Sequence, residues 1–270
     1  LEGGITNFNF TVIDQGKKYL VRLGEDIIQH QIMRFNEVAA SRAAFEAGIA
    51  PKVIYSGQGA LVLDFIDGKT LSKEDVQKRP VLDRIIPLLK DCHIRIKDYL
   101  RGPILSFWVF HIIRDYAHTL ESEASRKVLE LPRLLQAAER LENAVSTITL
   151  VFGHNDLLPE NFIDDGQRLW LVDWEYAGFN SPLFDLGGVA SNCELPSGDE
   201  NYLLESYFQS QVTDELRYRY VAMKCASLLR ESMWSMVSEL YSQIDFDYVA
   251  YTEANLRHFE DQYAKFQALH

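Results

Sequence analysis

After a glycine pair, the chain alternates apolar and polar positions up to Ile13, a period of two that predicts a strand. Asp14-Gln-Gly-Lys17 is turn chemistry and Lys18–Leu23 a second short strand, so a hairpin is expected. Gln29 to Ala47 reads as an alanine-rich helix, stopped by Gly48 with Pro51 just beyond. Val53–Tyr55 and Ala60–Ile66 are strands, and Asp67-Gly68 closes the second. From Pro80 the pattern lengthens into helices, and Pro87 is expected to kink or restart one of them. Trp108–Leu120 and Leu131–Val145 are further helices. Leu150–Phe152, Asn161–Ile163 and Leu169–Asp173 are short strands, and helices resume from Pro182 to the end. No internal repeat or low-complexity tract interrupts this order. The expectation is an α+β protein with two lobes: a small β-rich one over residues 1–68 and a larger, mostly helical one over 69–270.

Charge adds an asymmetry. The 270 residues carry 27 Lys and Arg against 39 Asp and Glu, a net charge of -12. Residues 1–90 hold 12 basic and 11 acidic side chains, whereas residues 192–270 hold 6 and 13. A general nucleic-acid binder carries a basic excess to neutralise phosphates, so that class is excluded. No stretch approaches the roughly 18–20 apolar residues of a membrane span, so stable membrane insertion is not expected. No signal-peptide pattern is read, although the chain opens on Leu1 without a Met and a preceding piece is expected. Cys92, Cys193 and Cys225 are scattered and odd in number, which suits three buried thiols in the cytoplasm.

The most informative segment is Gly153-His-Asn-Asp-Leu-Leu-Pro-Glu-Asn-Phe-Ile163, a strand entering a polar loop. Asp156 and Asn161 lie on that loop, and Asp173 ends the apolar strand that follows. Two carboxylates and an amide oxygen on adjacent loop ends make a hard-oxygen site suited to Mg²⁺. Singly, each would be a turn or capping residue; the order is what carries the signal. Gly3, Gly4, Thr6 and Asn7 form a weaker motif, glycines that let a backbone approach phosphate with two added donors. Arg22 on the second strand faces away from Val21 and Leu23. Glu37 sits among apolar neighbours in the first helix and needs a cation, for which Arg22 is the candidate. Glycine loop, strand cation, helix Glu, loop Asp and Asn, then strand-end Asp is the chain order of kinase phosphoryl-transfer machinery.

Three departures from the protein-kinase pattern are informative: the loop is not G-x-G-x-x-G, the strand cation is Arg, and D-F-G is replaced by Asp173-Trp-Glu175. With these the chain resembles the aminoglycoside phosphotransferase and choline kinase group, and within it the choline/ethanolamine kinase family. The marks are Gly3-Gly-Ile-Thr-Asn7, His154-Asn-Asp-Leu-Leu-Pro-Glu-Asn161, and Leu171-Val-Asp-Trp-Glu-Tyr-Ala-Gly-Phe-Asn-Ser-Pro-Leu-Phe-Asp-Leu-Gly187. The resemblance implies a protein-kinase-like fold and Mg²⁺-dependent phosphoryl transfer from ATP. It makes Asp156 the base for the acceptor hydroxyl and gives Mg²⁺ to Asn161 and Asp173. It places Arg22 on phosphate, fixed by Glu37, with Gly3 to Asn7 over the phosphates. Asp64-Phe-Ile66 becomes the adenine hinge; His154 and Asp185 support the loop, and Glu175 lies near the metal and acceptor.

The implied acceptor is a small cationic alcohol, choline first and ethanolamine second. A quaternary ammonium is held by aromatic faces and nearby carboxylates, and Tyr176, Trp234 and Tyr251 match the places where the family has such aromatics. Where the family often has a Glu and a second Trp, this chain has Asn192 and Glu231, and Glu194 is close enough in sequence to supply charge. Thiamine, an aminoglycoside or another amino alcohol stays open as acceptor. So does a kinase-like binding protein without turnover, and a dimer is one assembly the reading allows.

Overall fold

The structure is a computed structural model that describes residues 8–269. Strands β1 (Phe8–Asp14) and β2 (Lys17–Leu23) form the expected hairpin. Its two-residue turn, Gln15-Gly16, has φ of 49° and 81°, the paired positive angles that match the twist of the flanking strands. Helix α1 spans Arg34–Glu46, and β3 (Val53–Gly57) and β4 (Ala60–Asp64) complete an antiparallel sheet in the order β1-β2-β4-β3. Gly3, Gly4, Thr6 and Asn7 lie outside the described residues.

Helix α1 starts later than its alanine content suggests. Gln31 sits at φ 58°, and Ile27 pairs with Ile32 in an isolated bridge. The Asp26 carboxylate accepts the Arg34 backbone N–H at 2.7 Å, so the helix begins there. At its other end the stop is as expected. Gly48 has φ 82°, its N–H donates to the Phe45 carbonyl and that of Ile49 to Ala44, which closes the last turn.

The helical part begins with β5 (Lys69–Thr70), α2 (Lys73–Val76) and α3 (Arg79–Tyr99). Pro87 lies inside α3 and does not restart it. Then come α4 (Val109–Ser122), α5 (Leu131–Val145), β6 (Val151–Gly153), β7 (Phe162–Asp164), β8 (Leu169–Leu171) and β9 (Gly178–Asn180). Helices α6 (Pro182–Asn192), α7 (Ser197–Phe208), α8 (Asp214–Tyr241) and α9 (Tyr248–Gln267) end the described chain. β9 is three residues long and was not read in the sequence; it pairs with β6.

The 28-residue α8 is the central element, burying Tyr220, Met223, Leu229, Met233 and Val237. α6 packs close to it: a Cβ at Gly187 would stand 2.9 Å from the Lys224 Cα, so only glycine permits the approach. Among the ties that join the sheet part to the helical part, two lie close to the candidate chemistry. Asn36 of α1 donates to the Ala177 carbonyl and accepts from the Leu105 N–H, and the Leu171 N–H donates to the Ile49 carbonyl. Both ties flank the segment that carries the candidate chemistry. The three cysteines are buried and free, and no described helix is long and apolar enough to cross a membrane.

Candidate active site

On β2 the usual polarity is reversed. Leu23 is exposed and Arg22, the strand's most buried side chain, is 6% exposed. Burying a guanidinium is unfavourable unless carboxylates meet it. Its Nη1 donates to Glu37 Oε1 and to Asp173 Oδ1, both at 2.6 Å, and Glu175 lies 3.8 Å away. Its Nε donates to Asn9. Arg34, at the start of α1, donates to Glu37 Oε2 at 2.7 Å and to Glu175 Oε2 at 3.2 Å. Burial disfavours charge on Arg22, but the carboxylates of Asp173, Glu37 and Glu175 outweigh it and raise its pKa. For Asp173 burial acts upward, and Arg22 beside it holds the carboxyl below its usual range. The expected Arg22–Glu37 pair is therefore formed, with Asp173 as a third member.

Asp173 follows β8 at φ 69°, a left-handed conformation uncommon for a non-glycine residue. The 153–161 loop is held beneath it. Val172 N–H donates to the Asn161 carbonyl at 3.0 Å, and His154 Nε2 hydrogen-bonds the Val172 carbonyl at 2.9 Å. Asn161 Nδ2 donates to the Asp156 carbonyl at 2.8 Å, which leaves its Oδ1 as a donor to a cation. An amide oxygen and a carboxylate oxygen are donor types that Mg²⁺ takes, so Asn161 and Asp173 fit it.

Asp185, in the first turn of α6, fixes the loop. Its carboxylate accepts the backbone N–H groups of His154 at 2.8 Å and Asn155 at 2.7 Å, and contacts His93 Nε2 at 2.8 Å. Burial pushes this carboxyl up, but the hydrogen bonds from His93 and from the His154 backbone N–H help hold it below its ordinary pKa. Asn155, at φ 65°, donates from its amide to the carbonyls of Gly153, Tyr176 and Gly178. The packing leaves no room beside it: a Cβ on Gly153 would meet Asn155 Oδ1 at 2.7 Å. His154 and Asp185 thus tie the loop to Val172 and to α6.

Asp156 opens into a narrow cleft shared with Asn192, Arg230 and Glu231. Burial raises its pKa well above the usual carboxylate range, and the positive charge of Arg230 opposes that rise. Asn192 donates to the Leu157 carbonyl at 3.1 Å, so it both lines the cleft and braces the loop. Tyr251 donates to Glu231 of that cleft at 2.9 Å, whereas Tyr176 and Trp234 are not among its lining residues; they are joined by a Trp234 Nε1 to Tyr176 hydroxyl bond of 2.9 Å, and Trp234 lines a separate cavity with His30 and Arg34.

Two expected acceptor residues are placed elsewhere. Glu175 is buried against Arg34 and Arg22, because it lies two residues past Asp173 on the turn that faces α1. Glu194 lies beyond the end of α6 at φ 48°; its side chain is 63% exposed and pairs with Lys73 at 2.9 Å. Asp64 ends β4 with its carboxylate on Lys17, and Ile66 lies beyond the strand, outside the ladder. Arg230 is the residue that sequence reasoning missed; Glu231 is read in the sequence only as standing where the family often has a second Trp, not as a site member. The signal was a charged pair inside the apolar run Leu228–Met236, on a helix otherwise read as core.

A family model described as choline/ethanolamine kinase matches residues 1–195. Protein LicA of Haemophilus influenzae is 27% identical over 76% of this chain, which spans 61% of that relative's length. A probable ethanolamine kinase of Arabidopsis thaliana is 28% identical over 93% of this chain and 75% of its own length. The crystal structure of the choline kinase LicA from Streptococcus pneumoniae is 26% identical, with a TM-score of 0.81 over 97% of this chain and 92% of that one. The small sheet with one helix, followed by the larger helical part, is the protein-kinase-like arrangement. With the family model covering well over half of its 270 residues, the chain belongs to the choline/ethanolamine kinase family.

Proposed function

We propose that the chain transfers the γ-phosphoryl group of ATP to the hydroxyl of choline or ethanolamine. The observation that carries this reading is the joining of Arg22, Glu37 and Asp173 at 2.6 Å beside the loop that presents Asp156 and Asn161. Asp156 orients the acceptor hydroxyl and takes its proton as the oxygen–phosphorus bond forms and ADP leaves. Its raised pKa makes it a stronger base than an ordinary carboxylate. Arg22 contacts the phosphates, aligned by Glu37. Asn161 and Asp173 hold Mg²⁺, which supplies neutralising charge to the phosphates. Phe65 and Ile66, past the end of β4, offer backbone groups to adenine. Residues 1–68 form the nucleotide lobe and 69–270 the lobe that binds the acceptor. We place the enzyme in the cytoplasm, on its three buried free thiols.

The test is coupled ADP release with Mg²⁺-ATP against choline, ethanolamine, thiamine and an aminoglycoside in parallel. Turnover with choline or ethanolamine is expected. Turnover confined to thiamine or the aminoglycoside overturns the acceptor class, and no ADP release with any acceptor overturns the activity.

A further inference from the structure

Two of the three aromatic faces that a quaternary ammonium would need are already engaged by the protein itself. The Arg230 guanidinium lies over the Tyr176 ring, 4.3 Å from its centroid. Trp234 is 4% exposed and His30 covers it, with ring centroids 5.0 Å apart and planes tilted by 30°. The Tyr251 ring meets Phe246 at 5.5 Å, and its hydroxyl is turned to Glu231. At the place where the resemblance puts a second tryptophan, the chain carries the Glu231 carboxylate.

The cleft chemistry that remains is oxygen-rich. Arg230 is 3% exposed and donates from Nη1 to Glu231 Oε2 at 3.0 Å. Its Nε and Nη2 are buried with no hydrogen-bond partner among the described residues. A guanidinium stays charged at any physiological pH, so it repels a second cation brought to the same ring. Glu231 accepts one hydrogen bond on each oxygen, from Tyr251 and Arg230, and its side chain is 26% exposed. A carboxylate has about four acceptor sites, so it can take further donors. With Asp156 ionised, as its role as base requires, Asp156 and Glu231 against Arg230 leave one negative charge, which one ammonium would balance.

A quaternary ammonium brings no N–H and depends on aromatic faces, whereas a primary ammonium brings three donors and depends on oxygens. We propose that the Arg230–Glu231 pair sets the acceptor: Arg230 occupies the Tyr176 face against a quaternary ammonium, and Glu231 accepts from the N–H groups of a primary one. The preferred substrate is then ethanolamine rather than choline. This inference rests on the phosphotransferase function proposed above.

The experiment compares kcat/KM for ethanolamine and choline, by coupled ADP release, in the wild type and in two variants. The wild type is expected to favour ethanolamine by about ten-fold or more, the worth of one charge-assisted hydrogen bond. Glu231→Gln, which keeps the shape, should raise the KM for ethanolamine about ten-fold while kcat and the KM for ATP hold. Arg230→Leu with Glu231→Trp, checked for folding by thermal melting, should reverse the preference toward choline. A wild type that uses choline as well as or better than ethanolamine overturns the proposal and leaves phosphoryl transfer standing. An unchanged ethanolamine KM in Glu231→Gln overturns it as well, whether or not the double variant folds. No ADP release with either amine overturns both this proposal and the function beneath it.

Discussion

Two charged clusters meet at Asp156, and with Asp156 counted in the second each holds one more carboxylate than cation. In the first, Arg22 and Arg34 meet Glu37, Asp173 and Glu175 in a mesh whose main contacts run from 2.6 to 3.2 Å. In the second, Arg230 makes a single hydrogen bond, to Glu231, and leaves two nitrogens unsatisfied among the described residues. Equal net charge therefore hides opposite designs. The first cluster is saturated and pre-formed, as suits a site that must present the same phosphates at every turnover. The second is under-bonded, which makes a small ligand part of its charge balance. Substitutions in the two clusters should accordingly fail in different ways.

Asp156, proposed to serve both, should show the largest effect. Asp156→Asn is expected to lower kcat by about 10²–10⁴-fold, the usual worth of a general base, with ATP binding unchanged by calorimetry. A kcat equal to wild type would remove Asp156 from the chemistry and with it the hinge of the comparison.

The saturated cluster should fail as a unit. Arg22→Met leaves three carboxylates around Arg34 alone, and removal of one partner from a buried ion pair costs about 3–5 kcal/mol. Denaturant unfolding should show that loss, together with a raised KM for ATP. Arg22→Lys should recover part of the stability but less of the KM, because a single ammonium cannot reproduce the guanidinium's fixed geometry. If Arg22→Met unfolds at the wild-type denaturant concentration, the mesh is not what holds β2, α1 and Asp173 together.

The two clusters also differ in how far the sequence reveals them. The saturated one was legible because its members sit at intervals that name a reaction: a strand Arg, a helix Glu, a loop Asp and Asn, a strand-end Asp. Turn chemistry at Gln15-Gly16 and the stop at Gly48 were legible for the same local reason, since positive φ is written into residue type. The start of α1 was not, because it depends on Asp26 reaching the Arg34 N–H eight residues away. β9 was not, because three residues show no alternation and its partner β6 lies far off in sequence. The Arg230–Glu231 pair was the hardest to read. It meets Tyr176 only because α8 packs beneath the loop, and helix periodicity marks those positions as core. Glu194 was misplaced by nearness: two residues from Asn192 in sequence, it lies past the helix end, pointing outward.

A smaller effect should separate Arg230 from Arg22. Asp156 must be ionised to accept a proton, and burial raises its pKa, so kcat/KM should fall with decreasing pH through that raised value rather than near an ordinary carboxylate's. Arg230 is the leading influence that opposes the rise. Arg230→Met removes it, so the acid limb should move to higher pH, whereas Arg22→Lys, which keeps the charge, should leave it in place. A limb that moves to lower pH in Arg230→Met would mean that the guanidinium does not act on Asp156.

The smallest effect is expected at Glu194, and its smallness is informative. The C-terminal third is acidic, and sequence alone offered this residue as a source of negative charge for the acceptor. Its carboxylate instead faces solvent and pairs with Lys73, itself a surface residue. Exposed pairs of this kind are screened by salt and contribute little. Glu194→Gln should therefore leave the melting temperature and the KM for the amine where they are in the wild type, at low and at high ionic strength alike. The isosteric Glu231→Gln removes the same charge from the cleft and is expected to move that KM. The contrast tests whether position or overall acidity draws the cationic acceptor. If Glu194→Gln raises the amine KM at low salt only, long-range attraction by the acidic surface is at work, and Glu231 has been given too large a share of the recognition.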